Sequence, residues 1–397
     1  MRLHFHGYYF IIILMKKVVV VALIAVFTVV SVIALSSCES ERQMTFTDAT
    51  HFGSALKVVL YCTEDTFATF SEKTERTLDE LSRAFDEGDP QSFTARFNAA
   101  EQGEKIEIDG VCLEAYAAAE QAFALTDGYY DPTAANLVDL WGFSARFYNS
   151  STHTEDYDRE RDDGGAFPIP SEEYVSAFRS LTGLTEGTEL VEENGKTYLL
   201  KKAAPVSVNG KEYGIKMDFG GVVKGIAVER IVSVCRELGI KRGYVSYGTS
   251  SLFLMKNALD SEWDLLLTNP RNDGSENEPK AYFKTALADV SAATSGDYER
   301  YYTLDGKRYS HIIDVKTGKP VDNGVCAVTV IGVSPALGDC LATGLLAAGK
   351  EKITDFAYSD YAAENGIKIV AAFDDDGEIK VFSTVENYEV LKGEIYA

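Results

Sequence analysis

Apolar residues along this chain recur in two spacings, one typical of strands and one typical of helices, and the two are mixed without a regular order. Strands are predicted over residues 55–61, 196–201, 206–208, 263–268 and, as a pair, 367–383. Residues 241–253 are predicted to form another strand with a glycine–hydroxyl turn at Gly248-Thr249-Ser250-Ser251. Helices are predicted over residues 70–85, 111–125, 222–238 and 334–349. A doubly wound sheet would show a regular alternation of strand and helix, so the pattern predicts a layered α+β fold instead.

The first forty residues are set apart from this pattern. Lys16 and Lys17 form a short basic start, residues 18–34 are largely apolar and uncharged, and small residues precede Cys38. These are the three parts of a secretory signal, and the Leu-Ser-Ser-Cys ending resembles the lipobox of bacterial lipoproteins, in which the cysteine carries lipid. A plain signal-anchor helix is the alternative. Residues 1–14 precede the basic pair and do not fit the short basic start of a signal peptide, so translation is expected to start at Met15.

The predicted organisation is a signal peptide over residues 1–37, a polar tether over residues 38–47 that begins with the lipidated Cys38, and one domain over residues 48–397. Residues 148–170 are acidic and contain almost no aliphatic residue, which indicates a solvated insertion without chemistry. The expected location is the extracytoplasmic side of the cell membrane, with the lipid as the anchor.

The chain is strongly acidic. Its formal charge is −23, and removal of residues 1–37, which carry three basic residues and no acidic one, changes it to −26. Such a chain is a poor partner for nucleic acid and for anionic headgroups, and it repels anionic small molecules unless a metal ion or a helix N-terminus compensates locally. The five cysteines after Cys38 are odd in number and lack metal-site spacing, so they are interpreted as small buried hydrophobic residues.

The predicted helix over residues 334–349 carries two oxygen-bearing side chains on one face. Asp339 and Thr343 are four residues apart, and both are hard donors of the kind that Mg²⁺ or Ca²⁺ prefers. Two protein oxygens are too few to saturate either ion, which suits Mg²⁺ with a substrate phosphate completing its shell. A carbonyl of the Gly220-Gly221 junction, where a strand meets the next predicted helix, is a natural third ligand. The structural alternative is that Thr343 bonds back to the helix backbone and Asp339 faces solvent.

His311 lies among polar and acidic neighbours in the strand-like run 309–314. A neutral imidazole there could accept a proton from an alcohol or from water, although a single histidine in a strand can equally be structural. A separate turn, Asp131-Pro132-Thr133, precedes the segment Leu140-Trp141-Gly142-Phe143. These residues could be mere packing or could form a wall for a flat aromatic ligand, and composition does not separate the two.

Taken together, these fragments resemble ApbE-type proteins, the family of the FAD:protein FMN transferases, many of which are lipoproteins. The motifs that carry the resemblance, in the family's order, are Asp218-Phe219-Gly220-Gly221-Val222-Val223-Lys224-Gly225, Thr294-Ser295-Gly296-Asp297-Tyr298, His311-Ile312-Ile313-Asp314-Val315-Lys316-Thr317-Gly318 and Asp339-Cys340-Leu341-Ala342-Thr343. The Asp131-Pro132-Thr133 turn with the following Trp-Gly-Phe matches the family's N-terminal half. The resemblance covers residues 51–349, and the combination is specific where each motif alone is weak.

The resemblance implies a fold and a reaction. The fold is a T-shaped, layered domain of mixed sheets with packed helices. In the reaction, a Thr or Ser hydroxyl of an exported target flavoprotein attacks the FMN phosphorus of bound FAD, and AMP leaves. Asp339 and Thr343 would hold Mg²⁺ (or Ca²⁺) by their side chains, and Gly221 would hold it by its carbonyl.

The resemblance also assigns the contacts with FAD. Asp218, Lys224 and His311 would touch FAD, and the Asp131-Pro132-Thr133 turn would line the flavin site. His311 would be the general base, and Asp339 belongs with it among the catalytic residues. Phosphoryl transfer of this kind needs positioning and charge neutralisation more than covalent help.

Two positions depart from the family's pattern. Gly248-Thr249-Ser250-Ser251 stands where the family usually has a Gly-Gly-Asp/Asn turn, and Val315 stands where a proline is usual. Two other functions stay open: an FAD diphosphatase, in which water replaces the acceptor hydroxyl, and a flavin- or solute-binding lipoprotein without catalysis. The combination of a metal-binding pair with His311 favours an enzyme over a carrier.

Overall fold

The computed structural model describes residues 40–144, 169–272, 274–275 and 278–396, with residues 148–149 and 154–155 added as a short strand pair. The predicted signal peptide, Cys38 and most of the predicted insertion over residues 148–170 lie outside the described residues. Within the described part, no helix is both long enough and apolar enough to cross a membrane.

The strands follow each other closely along the chain. They are β1 (Arg42–Asp48), β2 (Leu56–Cys62), β3 (Lys105–Glu107), β4 (Tyr148–Asn149), β5 (Thr154–Glu155), β6 (Thr188–Glu193), β7 (Lys196–Lys201), β8 (Val206–Val208), β9 (Lys211–Tyr213), β10 (Gly243–Tyr247), β11 (Ser251–Leu254), β12 (Trp263–Thr268), β13 (Ala281–Leu287), β14 (Val290–Gly296), β15 (Tyr301–Leu304), β16 (Lys307–Ser310), β17 (Ile313–Asp314), β18 (Lys319–Pro320), β19 (Val325–Ile331), β20 (Lys368–Asp375), β21 (Glu378–Ser383), β22 (Tyr388–Val390) and β23 (Glu394–Ile395).

The helices are fewer and of very different lengths. They are α1 (Glu64–Phe85), α2 (Phe93–Ala99), α3 (Gly110–Leu125), α4 (Ala135–Leu140), α5 (Glu172–Arg179), α6 (Leu184–Gly187), α7 (Val223–Glu237), α8 (Pro335–Ala348), α9 (Lys350–Ala357) and α10 (Asp360–Glu364).

A nine-stranded sheet organises the molecule, in the order β1-β2-β10-β11-β14-β19-β20-β21-β23. Its neighbours are antiparallel except β21 and β23. Helices α7 and α8 pack directly on one face, with α1 and α3 behind them, and residues of the β12-β13-β22 sheet cover part of the other face. Every residue of β19 is buried, as expected for a strand covered on both faces. The predicted α+β fold is confirmed.

Helix α8 forms because local signals and packing agree. Ser334 caps its N-terminus by accepting the N–H of Leu337, Pro335 occupies the first turn, and Gly349 ends it with a φ of 91°. The helix is apolar almost all round, which is typical of a helix buried in a core. Asp339 is therefore placed in the interior, where a carboxylate needs partners.

Several predictions need correction. Residues 42–47 of the predicted tether belong to β1, because Met44 and Phe46 alternate with polar residues and pack against the core. Helix α1 begins at Glu64, six residues before the predicted start, because Thr63 caps it. The strand and the glycine–hydroxyl turn predicted over 241–253 are both present, and a second strand, β11, follows the turn. His311 lies in a bend between β16 and β17, not within a strand.

The cysteine interpretation is confirmed for the described part of the chain. Its five cysteines are free and buried, and they are Cys62, Cys112, Cys235, Cys326 and Cys340. Burial raises the pKa of Cys112 to about 12, so this thiol stays protonated.

Candidate active site

Asp339 lies in the second turn of α8 with its carboxylate inside the protein, 7% exposed. Its Oδ2 accepts the N–H of Gly225 at 2.7 Å, and the Ser251 hydroxyl lies 2.5 Å from Oδ1 and 2.6 Å from Oδ2. Burial raises the pKa of Asp339 to about 6, although the charge of Lys224 and the two hydrogen-bond donors act in the opposite direction. The alternative in which Asp339 faces solvent is therefore wrong.

Thr343 lies one turn further along α8, on the same face. Its hydroxyl donates to the carbonyl of Asp339 at 3.1 Å, so the backbone bond that the structural alternative required is present. The hydroxyl also lies 2.8 Å from that of Ser295 in β14. Because Thr343 donates its proton to the carbonyl, Ser295 is the donor in this second bond, and Thr343 Oγ1 keeps one lone pair.

His311 lies beside the backbone of Arg300. Its Nδ1 is 3.0 Å from the Arg300 carbonyl oxygen, which can only accept, so Nδ1 carries the proton and Nε2 presents a lone pair. Burial, followed by the charges of Arg300 and Lys224, lowers the pKa of His311 to about 3, against the hydrogen bond to the Arg300 carbonyl. The imidazole is therefore neutral at ordinary pH.

The charge of Lys224 acts on both the histidine and the carboxylate. Lys224 lies in the first turn of α7, and its positive charge lowers the pKa of both Asp339 and His311. The fold thus brings into one site three residues that are far apart in the sequence.

Two glycines allow α7 to approach this site. A Cβ on Gly225 would lie 2.3 Å from the Pro335 carbonyl oxygen, so the N-terminal turns of α7 and α8 touch through their backbones. A Cβ on Gly221 would lie 3.1 Å from the ring of Tyr130. Burial raises the pKa of Tyr130 well above its ordinary value, and Cys340 and the charges of Asp218 and Asp339 contribute in the same direction.

Asp218 is joined to the Asp131-Pro132-Thr133 turn. Its N–H donates to the Pro132 carbonyl at 2.8 Å, and its Oδ1 accepts the N–H of Gly220 at 2.6 Å. Within the turn, Asp131 accepts from both the N–H and the hydroxyl of Thr133, at 2.9 Å and 2.6 Å, and from the N–H of Gly183 at 2.7 Å. The side chains of Asp131 and Thr133 therefore hold the turn itself, and the flavin contact of this turn stays a prediction.

The Trp-Gly-Phe segment is part of an internal aromatic stack. Trp141 stacks on Tyr309, Tyr309 on Tyr302 and Tyr302 on Phe143, with ring centroids 5.2–6.0 Å apart. The edge of His311 meets Phe143 at 6.4 Å. Trp141 and Phe143 are 4% and 1% exposed, so the packing interpretation of this segment is correct, and the stack supports the bend that carries His311.

Sequence reasoning missed Ser251, Ser295 and Tyr130 as site residues. Ser251 and Ser295 occur in segments that the sequence analysis had identified. Hydroxyl residues are common in turns, however, and no local sequence signal predicts that these two contact α8. Among the described residues, no group of three or more His, Cys, Asp and Glu side chains is placed to hold a metal ion. A metal here would depend on one carboxylate with hydroxyl and carbonyl oxygens.

Comparison with known proteins gives relatives of one family. The ApbE family model matches residues 52–366. The FAD:protein FMN transferase of Vibrio cholerae is 27% identical over 327 residues, which are 82% of this chain and 87% of that protein. The Escherichia coli K12 protein of the same name is 28% identical over 288 residues, 72% of each chain.

Solved structures of flavin transferases have a similar fold. The flavin transferase ApbE from Vibrio cholerae superposes with a TM-score of 0.66 at 25% identity, covering 86% of this chain and 97% of that one. The apo form of the Pseudomonas stutzeri flavinyl transferase ApbE gives a TM-score of 0.67 at 26% identity, with 88% and 96% coverage. On its motifs, its fold and the extent of these matches, the chain belongs to the ApbE family.

Proposed function

We propose that this protein transfers FMN from FAD to a Thr or Ser hydroxyl of an exported target flavoprotein, with AMP as the second product. Membership of the ApbE family and the names of its relatives support the transfer reaction. The observation that carries the proposal is the buried carboxylate of Asp339, with Thr343 one helical turn away and the charge of Lys224 acting on it. This arrangement suits a substrate whose diphosphate must be neutralised inside an acidic protein.

The donor set fits Mg²⁺. Oδ1 of Asp339 accepts only from Ser251 among the described residues, and Oγ1 of Thr343 accepts only from Ser295, so each oxygen keeps a lone pair. Both are hard oxygens, and Gly221, two residues before α7, would supply its carbonyl. In this proposal Asp339, Thr343 and Gly221 hold the ion, which would offset the charge of the FAD diphosphate. Ca²⁺ is the alternative ion.

His311 would receive the proton in the transfer step. The acceptor hydroxyl oxygen forms a bond to the FMN phosphorus, the bond from that phosphorus to the AMP oxygen breaks, and the hydroxyl proton goes to Nε2 of His311. The pKa of about 3 makes the imidazole a weak base in the protein alone. The negative charge of bound FAD would offset Lys224 and raise the pKa of His311 towards the range that proton transfer needs.

A product assay tests the proposal. The purified protein is incubated with FAD, Mg²⁺ and a candidate acceptor protein, and the acceptor is examined by denaturing electrophoresis. Covalent flavin fluorescence on the acceptor with release of AMP is the expected result. Free FMN and AMP without labelled acceptor would favour the diphosphatase, and FAD binding without either product would reject an enzyme.

A matched pair of variants tests the metal assignment. Asp339→Asn keeps the shape of the side chain and removes its charge, so Mg²⁺-dependent transfer should be lost while the thermal unfolding midpoint changes little. Asp355→Asn changes an exposed aspartate of α9 and should leave transfer unaffected. Full activity of Asp339→Asn would reject the metal assignment.

We also propose that Cys38 carries lipid and holds the domain on the extracytoplasmic face of the cell membrane. The net charge gives the domain no attraction for anionic headgroups, so lipid would supply the attachment. Since β1 begins at Arg42, only three residues would separate Cys38 from the folded domain, and the Cα atoms of Cys38 and Arg42 would be about 14 Å apart at most. Mass spectrometry of the N-terminal peptide should show a lipidated Cys38, and membrane-bound Cys38→Ala protein would contradict the proposal.

A further inference from the structure

Ser251 is the first residue of β11 and is 1% exposed. Its backbone is held on both sides, since Ser251 pairs with Tyr247 of β10 and with Ala293 of β14. The carbonyl of Ser250, just before it, accepts the N–H of Thr294 at 2.7 Å. The sheet therefore fixes the position of Ser251 from two neighbouring strands.

The hydroxyl of Ser251 spans both oxygens of Asp339. It lies 2.5 Å from Oδ1 and 2.6 Å from Oδ2, while the N–H of Gly225 reaches Oδ2 from α7. A hydroxyl has one proton, so it is shared between the two oxygens or donated to one of them. The plane of the carboxylate is thus fixed from β11 and from α7 together, although Asp339 itself belongs to α8.

The other hydroxyls of the same turn have different partners. Thr249 donates to Glu299 at 2.7 Å, and Ser250 donates to the carbonyl of Tyr247 at 3.4 Å. Of the three hydroxyl residues that replace the family's usual Gly-Gly-Asp/Asn turn, Ser251 is the one that reaches Asp339. This departure from the family's pattern therefore supplies a polar contact to the site.

We propose that Ser251 is a positioning residue that holds the Asp339 carboxylate in the orientation needed to bind the metal ion. The inference rests on the proposed function, in which Asp339 is a metal ligand. Without the hydroxyl, the carboxylate keeps one hydrogen bond on Oδ2 and can rotate about its terminal torsion, so ordering it for a metal costs more free energy. Partners of this kind typically change metal affinity by about 10- to 100-fold.

The test measures metal binding directly, with Mn²⁺ as the probe. Free Mn²⁺ is counted by electron paramagnetic resonance during titration of the wild-type protein, Ser251→Ala and the matched control Ser250→Ala. We expect Ser251→Ala to raise the Kd for Mn²⁺ by about 10- to 100-fold and Ser250→Ala to leave it within about twofold. Ser251→Thr, which keeps the hydroxyl, should retain most of the affinity. In the transfer assay, Ser251→Ala should need more Mg²⁺ for half-maximal rate while the rate at saturating Mg²⁺ is largely restored.

The outcomes separate this inference from the proposed function. Equal Mn²⁺ affinity of wild type and Ser251→Ala would overturn the role of Ser251 and leave the metal site standing. Equal losses in Ser251→Ala and Ser250→Ala, or no recovery in Ser251→Thr at an unchanged unfolding midpoint, would also overturn it. Absence of Mn²⁺ binding by the wild-type protein would overturn the metal site of the proposed function and the inference with it.

Discussion

Replacement of Gly225 by alanine should damage both the stability of the protein and its proposed metal site. The added Cβ would lie 2.3 Å from the carbonyl oxygen of Pro335 and 2.7 Å from the Cα of Ala336. Both are backbone atoms, so a change of side-chain rotamer cannot relieve the clash. Since ordinary contact begins near 3.4 Å, the first turns of α7 and α8 would have to separate by about 1.1 Å.

The size of the effect follows from three contributions. Overpacking a core contact costs about 1–3 kcal/mol. A separation of about 1 Å would also break the 2.7 Å hydrogen bond from the Gly225 N–H to Asp339, and such bonds to charged groups contribute about 1.5–3 kcal/mol. Alanine in a helix regains at most about 1 kcal/mol over glycine. The net loss in the free energy of unfolding should be about 3 kcal/mol.

Urea unfolding followed by circular dichroism measures this loss. The matched control is Gly338→Ala in α8, where the added Cβ would meet the side-chain carbon of Ala293 at 3.1 Å, so the gain in helix propensity should offset a small local shift. Gly225→Ala should also bind Mn²⁺ more weakly, because the carboxylate of Asp339 loses its backbone donor. Equal unfolding midpoints for wild type and Gly225→Ala would refute the close approach of α7 and α8.

Three further perturbations test other parts of the structure. Burial lowers the pKa of His311 to about 3, so the stability that its neutral ring contributes is present above about pH 6.5 and is lost towards pH 3. The wild-type protein should therefore lose stability relative to His311→Gln as the pH falls through that window, and a constant difference in urea unfolding would contradict this. Burial lowers the pKa of Lys201 to about 8, so the wild-type protein should gain stability relative to Lys201→Met as the pH rises from about 8 to about 10.5, and parallel curves would reject this. Trp141→Phe removes the 2.8 Å bond to the Gly318 carbonyl and should cost about 1–2 kcal/mol in urea unfolding. Trp263→Phe should cost less, because the buried Trp263 Nε1 has no partner among the described residues, and the opposite order would count against this assignment.

The α+β class and many element positions could be read from the sequence because periodicity is a local property. Strands β7, β8 and β12 lie where the apolar runs placed them, and α8 lies within one residue of its predicted ends. The errors occurred where local signals were weak or had more than one meaning. The polar composition of residues 42–47 obscured a strand that only pairing with β2 makes favourable, and the strand-like pattern of residues 309–314 did not reveal the bend that carries His311.

In the candidate site, too, some features follow from the sequence and others only from the tertiary structure. The sequence by itself determined which residues could do chemistry: Asp339 and Thr343 must share a helix face, and the motifs around Lys224 and His311 indicate the ApbE family. Tertiary structure alone decided that Asp339 is buried and that the charge of Lys224 acts on both Asp339 and His311, since these residues belong to segments far apart in the chain. It also decided that Ser251 reaches Asp339. A buried carboxylate must find hydrogen-bond donors wherever the fold provides them, and in this protein they come from a helix and a strand that periodicity cannot bring together.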